Sequence, residues 1–382
     1  MKITNVKIFP VNPGIRKNWI FVKAETDEGI SGWGEVYNYR DRITGIMASI
    51  DSIKRYLIGR NPYNIKNFTQ IMFDDFAARR GGMEFYCAIS GLEQALWDIV
   101  GKALNTPVYN LLGGPVRDKI RVYANGWFGD AKTPEEFAEK AIETVEDGFT
   151  ALKFDPFSGP YRHYIDKEIE KTAVARVQAV RKAVGPDIDL LIEVHRRLSP
   201  MHAIRVGKML EEFKPFWYEE PVPADNVDAL VEVKRNVNIP IVTGETLYTK
   251  TEFRDVFVEK AVDIINPDVC NTGGILELKE IAAMAEPFLI GVAPHNFNST
   301  TIGLAATINA AASMPNFIIT EYFVNFKSRG DQISVDPFKV ENSYIKLPTK
   351  PGLGLELNEE AMVKYPYREF ELRHVQQYYE EI

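Results

Sequence analysis

The chain has 382 residues, of which 45% are apolar and 26% are charged, the balance of a globular protein rather than of a disordered one. This length exceeds one ordinary compact core and fits either two medium domains or one barrel of roughly 200–250 residues with additions. A formal net charge of −8 argues against general binding to nucleic acids or anionic membranes, because such binding requires clustered lysine and arginine.

The sequence carries no pattern typical of secretion or of a membrane anchor. The two cysteines, Cys87 and Cys270, form no CxxC motif and no secreted-type framework. The N-terminus alternates like a strand and lacks the unbroken apolar stretch of a signal peptide. No segment reaches the roughly 20 apolar residues that a membrane helix requires. We therefore expect a cytoplasmic protein without a membrane partner.

The first third of the chain mixes strand-like and helical patterns, which predicts an α+β domain over residues 1–119. Its predicted strands are 3–9 and 19–25, and residues 29–35 form a glycine-rich turn that leads into another strand. Its predicted helices are 43–58, 64–75 and 83–103, the last of which follows Gly81 and Gly82.

From residue 120 to residue 322, short apolar runs alternate with amphipathic stretches. The runs are 121–127, 150–154, 188–194, 216–219, 240–244, 262–266, 288–293 and 317–320. The first amphipathic stretch has Thr133 at the N-cap position, Pro134 at the first helical position and Gly148 at its end. Eight strand-like runs separated by helices predict parallel β/α units that close into a TIM-type barrel.

An open doubly wound sheet is the alternative to the barrel. It would normally carry a GxGxxG turn after its first strand, and the sequence has none. The polar segment 323–382 is expected to pack back on the N-terminal domain.

Three glutamates end successive runs of the predicted barrel. Glu193 lies in the third run, Glu219 ends the fourth and Glu245 follows the fifth, and each is 26 residues from the next, one β/α unit. Because barrel strands deliver their carboxyl ends to one face, these carboxylates should converge. Clustered carboxylates repel one another unless a cation lies among them, and all-oxygen ligation is typical of Mg²⁺. We therefore predict a Mg²⁺ site here, and we interpret Glu220 as structural.

A second polar set lies farther round the barrel. Asp268 follows the sixth run and His295 the seventh, 27 residues apart, so the two can be neighbours. A carboxylate bonded to one ring nitrogen fixes the tautomer and raises the basicity of the other nitrogen, as a general base requires. Glu321 adds an acid after the eighth run, and His195 lies two residues after Glu193, on the same side of that strand.

The second run places Lys153 and Asp155 on one face, so both should point into the barrel mouth. A buried structural ion pair is the alternative for these two residues. His163, His202 and His374 fall on helices or in the tail, and we interpret them as structural or surface residues.

Together these residues resemble the mandelate racemase subgroup of the enolase superfamily over nearly the whole chain. The motifs are Gly32-Trp33-Gly34-Glu35, Ala95-Leu96-Trp97-Asp98, Glu193-x-His195, Trp217-Tyr218-Glu219-Glu220-Pro221, Thr243-Gly244-Glu245, Asn266-Pro267-Asp268, Gly273-Gly274, Pro294-His295 and Glu321. The resemblance implies an α+β capping domain over a modified (β/α)7β barrel, with Mg²⁺ on the three strand-end carboxylates. Metal ions combined with a Lys or His base are an established pattern of enolase-type sites.

Two features place the chain within the subgroup. Many racemases and cycloisomerases of the superfamily carry a Lys-x-Lys base motif on the second strand, where this sequence has Lys153-x-Asp155. The combination of His195 with His295 and its acid is instead similar to acid-sugar dehydratases such as the gluconate, galactonate and arabinonate dehydratases. In those enzymes the first metal ligand is commonly Asp, whereas here it is Glu193, one methylene longer.

The resemblance implies dehydration of a sugar acid, an aldonate or an aldarate, to a 2-keto-3-deoxy sugar acid through an enediolate. His295, oriented by Asp268, would remove the α-proton, and His195 would donate a proton to the departing 3-hydroxyl. Glu321 could hydrogen-bond the enediolate only if protonated, which demands a raised pKa. Lys153 would add positive charge on the opposite side. The expected partners are the small-molecule substrate and further copies of the chain in a homo-oligomer.

Substrate choice is expected to depend on the cap, which would cover the barrel mouth. Asn38, Tyr39, Arg40 and Arg42 in one loop, and residues 79–82 in another, would contact hydroxyls or a distal carboxylate. Ordinary exposed loop polarity is the alternative for each of them.

Three other functions stay open at the level of the sequence. A racemase or epimerase of 2-hydroxy acids shares the first chemical step. An inactive barrel could act as a binding protein, although it would have no reason to keep three carboxylates and both histidines. A metal-dependent hydrolase typically carries His-x-His on the first strand, where residues 123–126 offer no histidine.

Overall fold

The N-terminal part of the protein is a three-stranded antiparallel sheet backed by helices. The computed structural model describes residues 1–14, 17–75, 81–157 and 163–370, without the side chain of Arg40. The sheet has the order β1-β2-β3, with β1 (Ile3–Val11), β2 (Trp19–Thr26) and β3 (Ser31–Val36). The helices are α1 (Ile43–Ile53), α2 (Ile65–Asp75), α3 (Met83–Ala103) and α4 (Val108–Leu111).

Close packing of β3 on α3 explains the glycine-rich motif of the sequence. A Cβ atom at Gly34 would lie 1.8 Å from the carbonyl oxygen of Gly91, and one at Gly32 would lie 2.2 Å from that of Ala95. Only glycine permits such an approach of two backbones. The predicted turn is therefore part of β3 and fastens the sheet to the helix.

The second part is a barrel of parallel strands. The strands are β4 (Lys119–Asn125), β5 (Ala151–Phe154), β6 (Asp189–Glu193), β7 (Trp217–Glu219), β8 (Ile241–Thr243), β9 (Ile264–Ile265), β10 (Gly291–Val292) and β11 (Thr320–Phe323). They pair in sequence order from β4 to β10, and β11 pairs with β4. A parallel bridge between Val292 and Phe317 closes the ring.

One helix follows each of the first seven barrel strands, which confirms the (β/α)7β architecture under an α+β cap. The helices are α5 (Pro134–Glu146), α6 (Lys167–Val184), α7 (Pro200–Leu210), α8 (Val227–Asn236), α9 (Thr249–Val258), α10 (Ile275–Ala285) and α11 (Ile302–Ala312). Thr133 caps α5 as predicted, in a capping box with Glu136. Within the described ranges, no helix is long and apolar enough to cross a membrane.

Two apolar layers hold the barrel together, because successive strand residues point to opposite faces. The inner layer consists of one buried residue from each barrel strand or from the residue next to it, namely Tyr123, Ala151, Leu191, Trp217, Val242, Ile264, Ala293 and Ile319. The outer layer, with residues such as Val122, Ile192 and Tyr218, joins the core that packs against the helices. The filled interior forms a solid floor beneath the strand ends.

The segment after the barrel contacts the N-terminal sheet. It contains α12 (Lys327–Ile333), β12 (Ser334–Val335), β13 (Tyr344–Lys346), β14 (Glu356–Leu357) and α13 (Glu359–Val363). Strand β13 pairs antiparallel with β4. Farther along, the Asn12 N–H donates to the carbonyl oxygen of Tyr365 at 2.9 Å, and Lys23 pairs with Glu359 at 2.5 Å.

The last two barrel strands begin later than the sequence predicts. Residue Phe317 belongs to the seam with β10, so the eighth strand is Thr320–Phe323 and Glu321 lies inside it rather than after its end. Phe288, predicted in the seventh strand, belongs to a 3-10 turn, because Leu289 adopts a left-handed φ of 59° that redirects the chain before β10. Apolar character alone did not distinguish these residues from strand.

Candidate active site

Three carboxylates meet at the carboxyl end of the barrel. Glu193 is the last residue of β6, Glu219 is the last residue of β7, and Glu245 lies two residues beyond β8. Glu193 and Glu219 are direct partners in the register of their parallel strands. One carboxylate oxygen from each of the three residues lies within 4.8 Å of the others, and all three side chains are buried. The structure thus brings together the acids that are spaced by one β/α unit.

This cluster suits a hard divalent cation. Mg²⁺ takes oxygen ligands at about 2.0–2.1 Å in octahedral geometry, so its ligand atoms lie a few ångströms apart, as these oxygens do. Glu193 Oε2 is buried and accepts no hydrogen bond, which leaves one carboxylate oxygen available to a ligand. The donor set therefore fits Mg²⁺, and Glu193, Glu219 and Glu245 are the residues that would hold it.

Glu219 is the most firmly held of the three acids. Lys153 Nζ and Asn266 Nδ2 both donate to its Oε1 at 2.7 Å, and Trp217 Nε1 donates to its Oε2 at 3.0 Å. Burial and the neighbouring Glu193 carboxylate nevertheless raise the pKa of Glu219 well above its usual range. Additional positive charge beside Glu219 would therefore stabilise its ionised form.

Lys153 lies among the acids of this cluster. Besides its contact with Glu219, its ammonium is 3.4 Å from Glu193 Oε2 and 3.2 Å from Glu321 Oε1. Burial opposes the charge, but the carboxylates raise the pKa of Lys153 well above its usual range. Lys153 and Asp155 therefore have separate partners instead of forming the ion pair considered from the sequence. Lys153 was expected on the side of the site opposite to Glu321, but it lies beside Glu321.

His295 and Asp268 form a hydrogen-bonded pair after β10 and β9. His295 Nδ1 lies 2.8 Å from Asp268 Oδ2, and the N–H groups of Cys270 and Phe297 donate to the Asp268 carboxylate at 2.8 and 3.1 Å. The fixed carboxylate accepts from Nδ1–H, which assigns acid–base chemistry to Nε2. That nitrogen is 2.9 Å from Glu245 Oε2, so the predicted base adjoins the predicted metal site.

His195 forms a second pair, with Asp155. Its Nδ1 lies 2.7 Å from Asp155 Oδ2, and Arg197 contacts the same oxygen. Burial opposes ionisation of Asp155, but His195 and Arg197 lower its pKa. His195 itself lies beyond β6 with a left-handed φ of 51°, so strand alternation, which was used to place it beside Glu193, does not apply. Its backbone N–H instead reaches Glu193 Oε1 at 2.7 Å.

Glu321 is a hydrogen-bond acceptor in this site. Asn125 Nδ2 and the Asn296 N–H donate to its carboxylate at 2.7 and 3.1 Å. Burial favours the neutral form, but Lys153 and His295 hold the pKa of Glu321 below its usual range. The raised pKa that donation to an enediolate would need is therefore not found. Burial lowers the pKa of His295, but Glu321 and the other carboxylates beside it together more than reverse this effect, and the net pKa is well above its usual range.

A cavity of about 240 Å³ opens onto both histidines. Its lining consists of aromatic rings and amides beside the charged groups, namely Tyr37, Tyr39, Phe128, Phe297, Phe323, Asn125, Asn325, Lys153, His195, Glu245 and His295. Tyr37 and Tyr39 follow β3, so the cap contributes one wall, and Tyr37 stacks on Phe297 with ring centroids 4.9 Å apart. Hydroxyl and amide groups between rings suit a small acid with several hydroxyls.

The cap residues expected to choose the substrate have different positions. Tyr39 lines the cavity, whereas Asn38 is buried and donates to the Val36 carbonyl oxygen at 3.3 Å. Arg42 pairs with Glu84 at 3.0 Å near the protein surface. Arg79, Arg80 and the side chain of Arg40 lie outside the described residues, and Gly81 lines a separate cavity while Gly82 precedes α3.

Glu220 has the structural environment that the sequence interpretation gave it. It is fully buried, and its carboxylate accepts from the Thr243 hydroxyl, from the Gly244 N–H at 3.1 Å and from Arg196 at 2.9 Å. It therefore braces the loop that carries Glu245.

The remaining histidines lie apart from the cavity where they are described. His202 is buried beside Glu170, at 3.4 Å, and His163 is exposed. His374 lies outside the described residues.

Three polar residues contact the acids of the site although their roles were not predicted from the sequence. Asn125 ends β4 and Asn266 follows β9, so the strand-end rule could have found both of them. Arg196, whose Nη1 lies 2.5 Å from Glu245 Oε1, could not be found in this way. The left-handed backbone at His195 and Arg196 turns the chain away from strand alternation.

Comparison with known proteins finds relatives of both parts of the chain. The family model for the mandelate racemase / muconate lactonizing enzyme N-terminal domain matches residues 11–113, and the model described as enolase C-terminal domain-like matches residues 136–361. These matches confirm the resemblance inferred from the motifs.

Individual relatives match nearly the full length. A protein from Picrophilus torridus named D-gluconate/D-galactonate dehydratase is 38% identical over 349 residues, which is 91% of this chain and 88% of its own. A D-galactonate dehydratase from Verminephrobacter eiseniae is 34% identical, with 95% and 94% covered. A crystal structure of a mandelate racemase/muconate lactonizing enzyme from Sulfitobacter sp. has a TM-score of 0.91 at 36% identity and covers 99% of this chain and 100% of that one.

Proposed function

Because the chain belongs to the mandelate racemase/muconate lactonizing enzyme family of the enolase superfamily, we propose that it is a Mg²⁺-dependent sugar-acid dehydratase. One observation carries the proposal: three acids that fit Mg²⁺ and two carboxylate-bonded histidines adjoin one cavity. The relatives named as dehydratases favour elimination over racemisation or epimerisation, which share its first step.

The substrate is an aldonate with several hydroxyl groups, of the D-gluconate or D-galactonate type. The names of the relatives support this class. The described cavity supports it as well, because the amides of Asn125 and Asn325 and the phenols of Tyr37 and Tyr39 can bond to hydroxyls between apolar rings.

Proton abstraction falls to His295. Mg²⁺, which the three glutamates would hold, would supply Lewis-acid stabilisation of the negative charge that develops on the substrate carboxylate. Asp268 holds the Nδ1–H of His295, so Nε2 takes the proton α to the carboxylate. Lys153, kept charged by the surrounding acids, adds fixed positive charge to the site.

Loss of the hydroxyl falls to His195. Asp155 holds its Nδ1, so the imidazolium donates a proton from Nε2 to the 3-hydroxyl oxygen as the carbon–oxygen bond breaks, and water leaves. A positioned general acid contributes roughly 10²–10⁴-fold to such a step. The resulting enol becomes the 2-keto-3-deoxy acid by ketonisation.

An activity screen tests the proposed function. Purified protein with Mg²⁺ is incubated with D-gluconate, D-galactonate and the corresponding aldarates, and the keto acid is measured colorimetrically. We expect keto acid from at least one aldonate, no product in EDTA and full recovery with added Mg²⁺. A change in optical rotation without keto acid would support the racemase alternative instead.

Two histidine variants test the assigned roles. His295→Asn should abolish exchange of the substrate α-proton with solvent deuterium, because no base is left to remove it. His195→Asn should retain that exchange and lose keto acid formation, since only expulsion of the hydroxyl is blocked. Both reactions are followed by proton NMR in deuterium oxide. Retained exchange in His295→Asn would reverse the assignment of base and acid.

Three broader proposals accompany this function. The cap comprises residues 1–119, the barrel 120–322 and the returning segment 323–382, which is supported by the change from the cap elements to the barrel strands near β4. A cytoplasmic location is supported by two buried cysteines that stay free of each other. Assembly into a homo-oligomer is testable by light scattering.

A further inference from the structure

Arg196 occupies a backbone conformation that costs an arginine free energy. Its φ is 62° and follows a φ of 51° at His195, so two consecutive non-glycine residues lie in the left-handed region. Such residues cost of order 1–3 kcal/mol each and persist where the surrounding structure holds them. Here the Arg196 N–H is held by the Glu220 carbonyl oxygen at 2.7 Å. Glycine would adopt this conformation without strain, so the arginine side chain requires its own explanation.

The guanidinium of Arg196 links two buried acids. Nη1 donates to Glu220 Oε2 at 2.9 Å and to Glu245 Oε1 at 2.5 Å, and the side chain is only 20% exposed. Glu220 is fixed by the N–H of Gly244 and the hydroxyl of Thr243, whereas Glu245 belongs to the metal-ligand cluster. Arg196 therefore ties a cluster acid to a rigid structural acid.

Arg196 is also part of a set of internal cations around the cluster. Lys153 lies 2.7 Å from Glu219 and 3.4 Å from Glu193, while Arg196 contacts Oε1 of Glu245. Each acid of the cluster thus has a positive partner within the protein. A divalent cation entering the cluster meets repulsion from these charges at close range, where effective dielectric screening is limited.

We infer that Arg196 is a built-in counter-ion of Glu245 that limits the affinity of the site for Mg²⁺. The inference rests on the proposed function, because it assumes that the glutamate cluster is the Mg²⁺ site. Arg196 acts through Glu245 and is a positioning residue rather than a catalytic one.

The test measures Mg²⁺ binding to Arg196→Gly by isothermal titration calorimetry after EDTA treatment and dialysis of the full chain. Glycine relieves the strain, so the variant should fold. We expect it to bind Mg²⁺ roughly tenfold more tightly or better, because one positive charge beside the ion has gone. In EDTA its melting temperature should fall, since Glu220 and Glu245 lose their counter-ion, and Mg²⁺ should raise that temperature more than in the unaltered protein.

Two further variants separate charge from backbone effects. Lys214→Gly is the matched control, because Lys214 also has a left-handed φ, 48°. Its side chain is exposed and precedes β7, at the end of that strand opposite to Glu219. It should leave Mg²⁺ affinity unchanged. Arg196→Lys keeps the charge and should bind Mg²⁺ within a few-fold of the unaltered protein. Equal or weaker affinity in Arg196→Gly would overturn the inference alone, whereas no saturable Mg²⁺ binding by the unaltered protein would overturn the proposed function with it.

Discussion

The two histidines of the site differ in how their partner carboxylates are held. Asp268 is fixed by two backbone N–H groups and is fully buried with His295. Asp155 is fixed by Arg197 and by the Phe157 N–H at 2.9 Å, and its histidine is 41% exposed. The first pair is therefore rigid and buried, as the proposed base requires, and the second pair is more exposed, which suits the proposed acid.

Removing the charge of Asp155 should affect one step only. Asp155→Asn can still accept from Nδ1–H of His195 but no longer stabilises the imidazolium, so keto acid formation should fall about 10²-fold or more. Exchange of the α-proton should continue near its normal rate, because His295 is untouched. The readouts are keto acid formation and NMR exchange in deuterium oxide, with KM nearly unchanged.

Asp268→Asn is the matched comparison, since it makes the same change to the other pair. It should slow exchange and dehydration together, because abstraction precedes expulsion. If Asp155→Asn and Asp268→Asn lose α-proton exchange equally, Asp155 maintains the fold of the site and does not act specifically on His195 as general acid.

The strand-end rule predicts which residues reach the carboxyl face of the barrel but not the contacts that they make there. Glu193 and Glu219 end regular strands, and Glu245 lies two residues beyond one. The contacts of His195 and Arg196 do not follow from the rule, since a left-handed pair is set by local anchoring to Glu193 and Glu220 that no periodicity contains.

Local capping determines where α5 begins. In α5 the Thr133 hydroxyl accepts from the Glu136 N–H at 3.2 Å, and the Glu136 carboxylate accepts from the Thr133 N–H at 3.0 Å. Both groups are close in sequence, which is why this boundary was predicted correctly from residue types alone.

Thr133→Ala should lower the free energy of unfolding by about 1 kcal/mol, because the first turn of α5 loses its cap. Urea unfolding followed by circular dichroism measures the change. Thr172→Ala in α6 is the control: its hydroxyl bonds back to the Glu168 carbonyl oxygen on an exposed face, so alanine should be neutral or slightly stabilising. Similar losses in both variants would contradict a specific cap.

The sequence predicts the types of the barrel elements correctly but not the residue at which β11 begins. The residues before this boundary are apolar, so the segment from Phe317 to Thr320 looks like one strand. Tertiary pairing decides the boundary, because the first residues serve the seam with β10 while Thr320 to Phe323 pair with β4. Such a choice between two partner strands is invisible in a single apolar run.

The cap and the barrel are joined by buried acids of the cap that receive donors from the barrel. Glu35 accepts from the Ser299 hydroxyl at 2.7 Å and from the Gly303 N–H at 2.8 Å. Glu93 of α3 accepts from the N–H groups of Ile275 and Leu276, at 2.7 and 3.0 Å, at the start of α10. A helix N-terminus favours negative charge, so both contacts hold the cap over the strand ends.

Glu93 makes this interface sensitive to pH. Burial raises its pKa to about 7 from an ordinary value of 4.5, although the two N–H donors oppose the shift. The folded protein thus prefers the protonated form. Its contribution to stability, about 3 kcal/mol, is complete below pH 4.5 and is lost as pH rises to 7.

Replacing Glu93 with Gln removes this titration and tests its sign. The unfolding free energies of Glu93→Gln and of the unaltered protein are measured in urea with Mg²⁺ at several values between pH 4.5 and 8. Any stability advantage of the unaltered protein over the variant should shrink as pH rises. Ser90→Ala controls for the interface, because Ser90 accepts from the Gly273 N–H at 2.9 Å but does not titrate, so its effect should not vary with pH. If the difference for Glu93→Gln instead grows with pH, the charged carboxylate is the form that the interface selects, and the donors at the start of α10 outweigh burial.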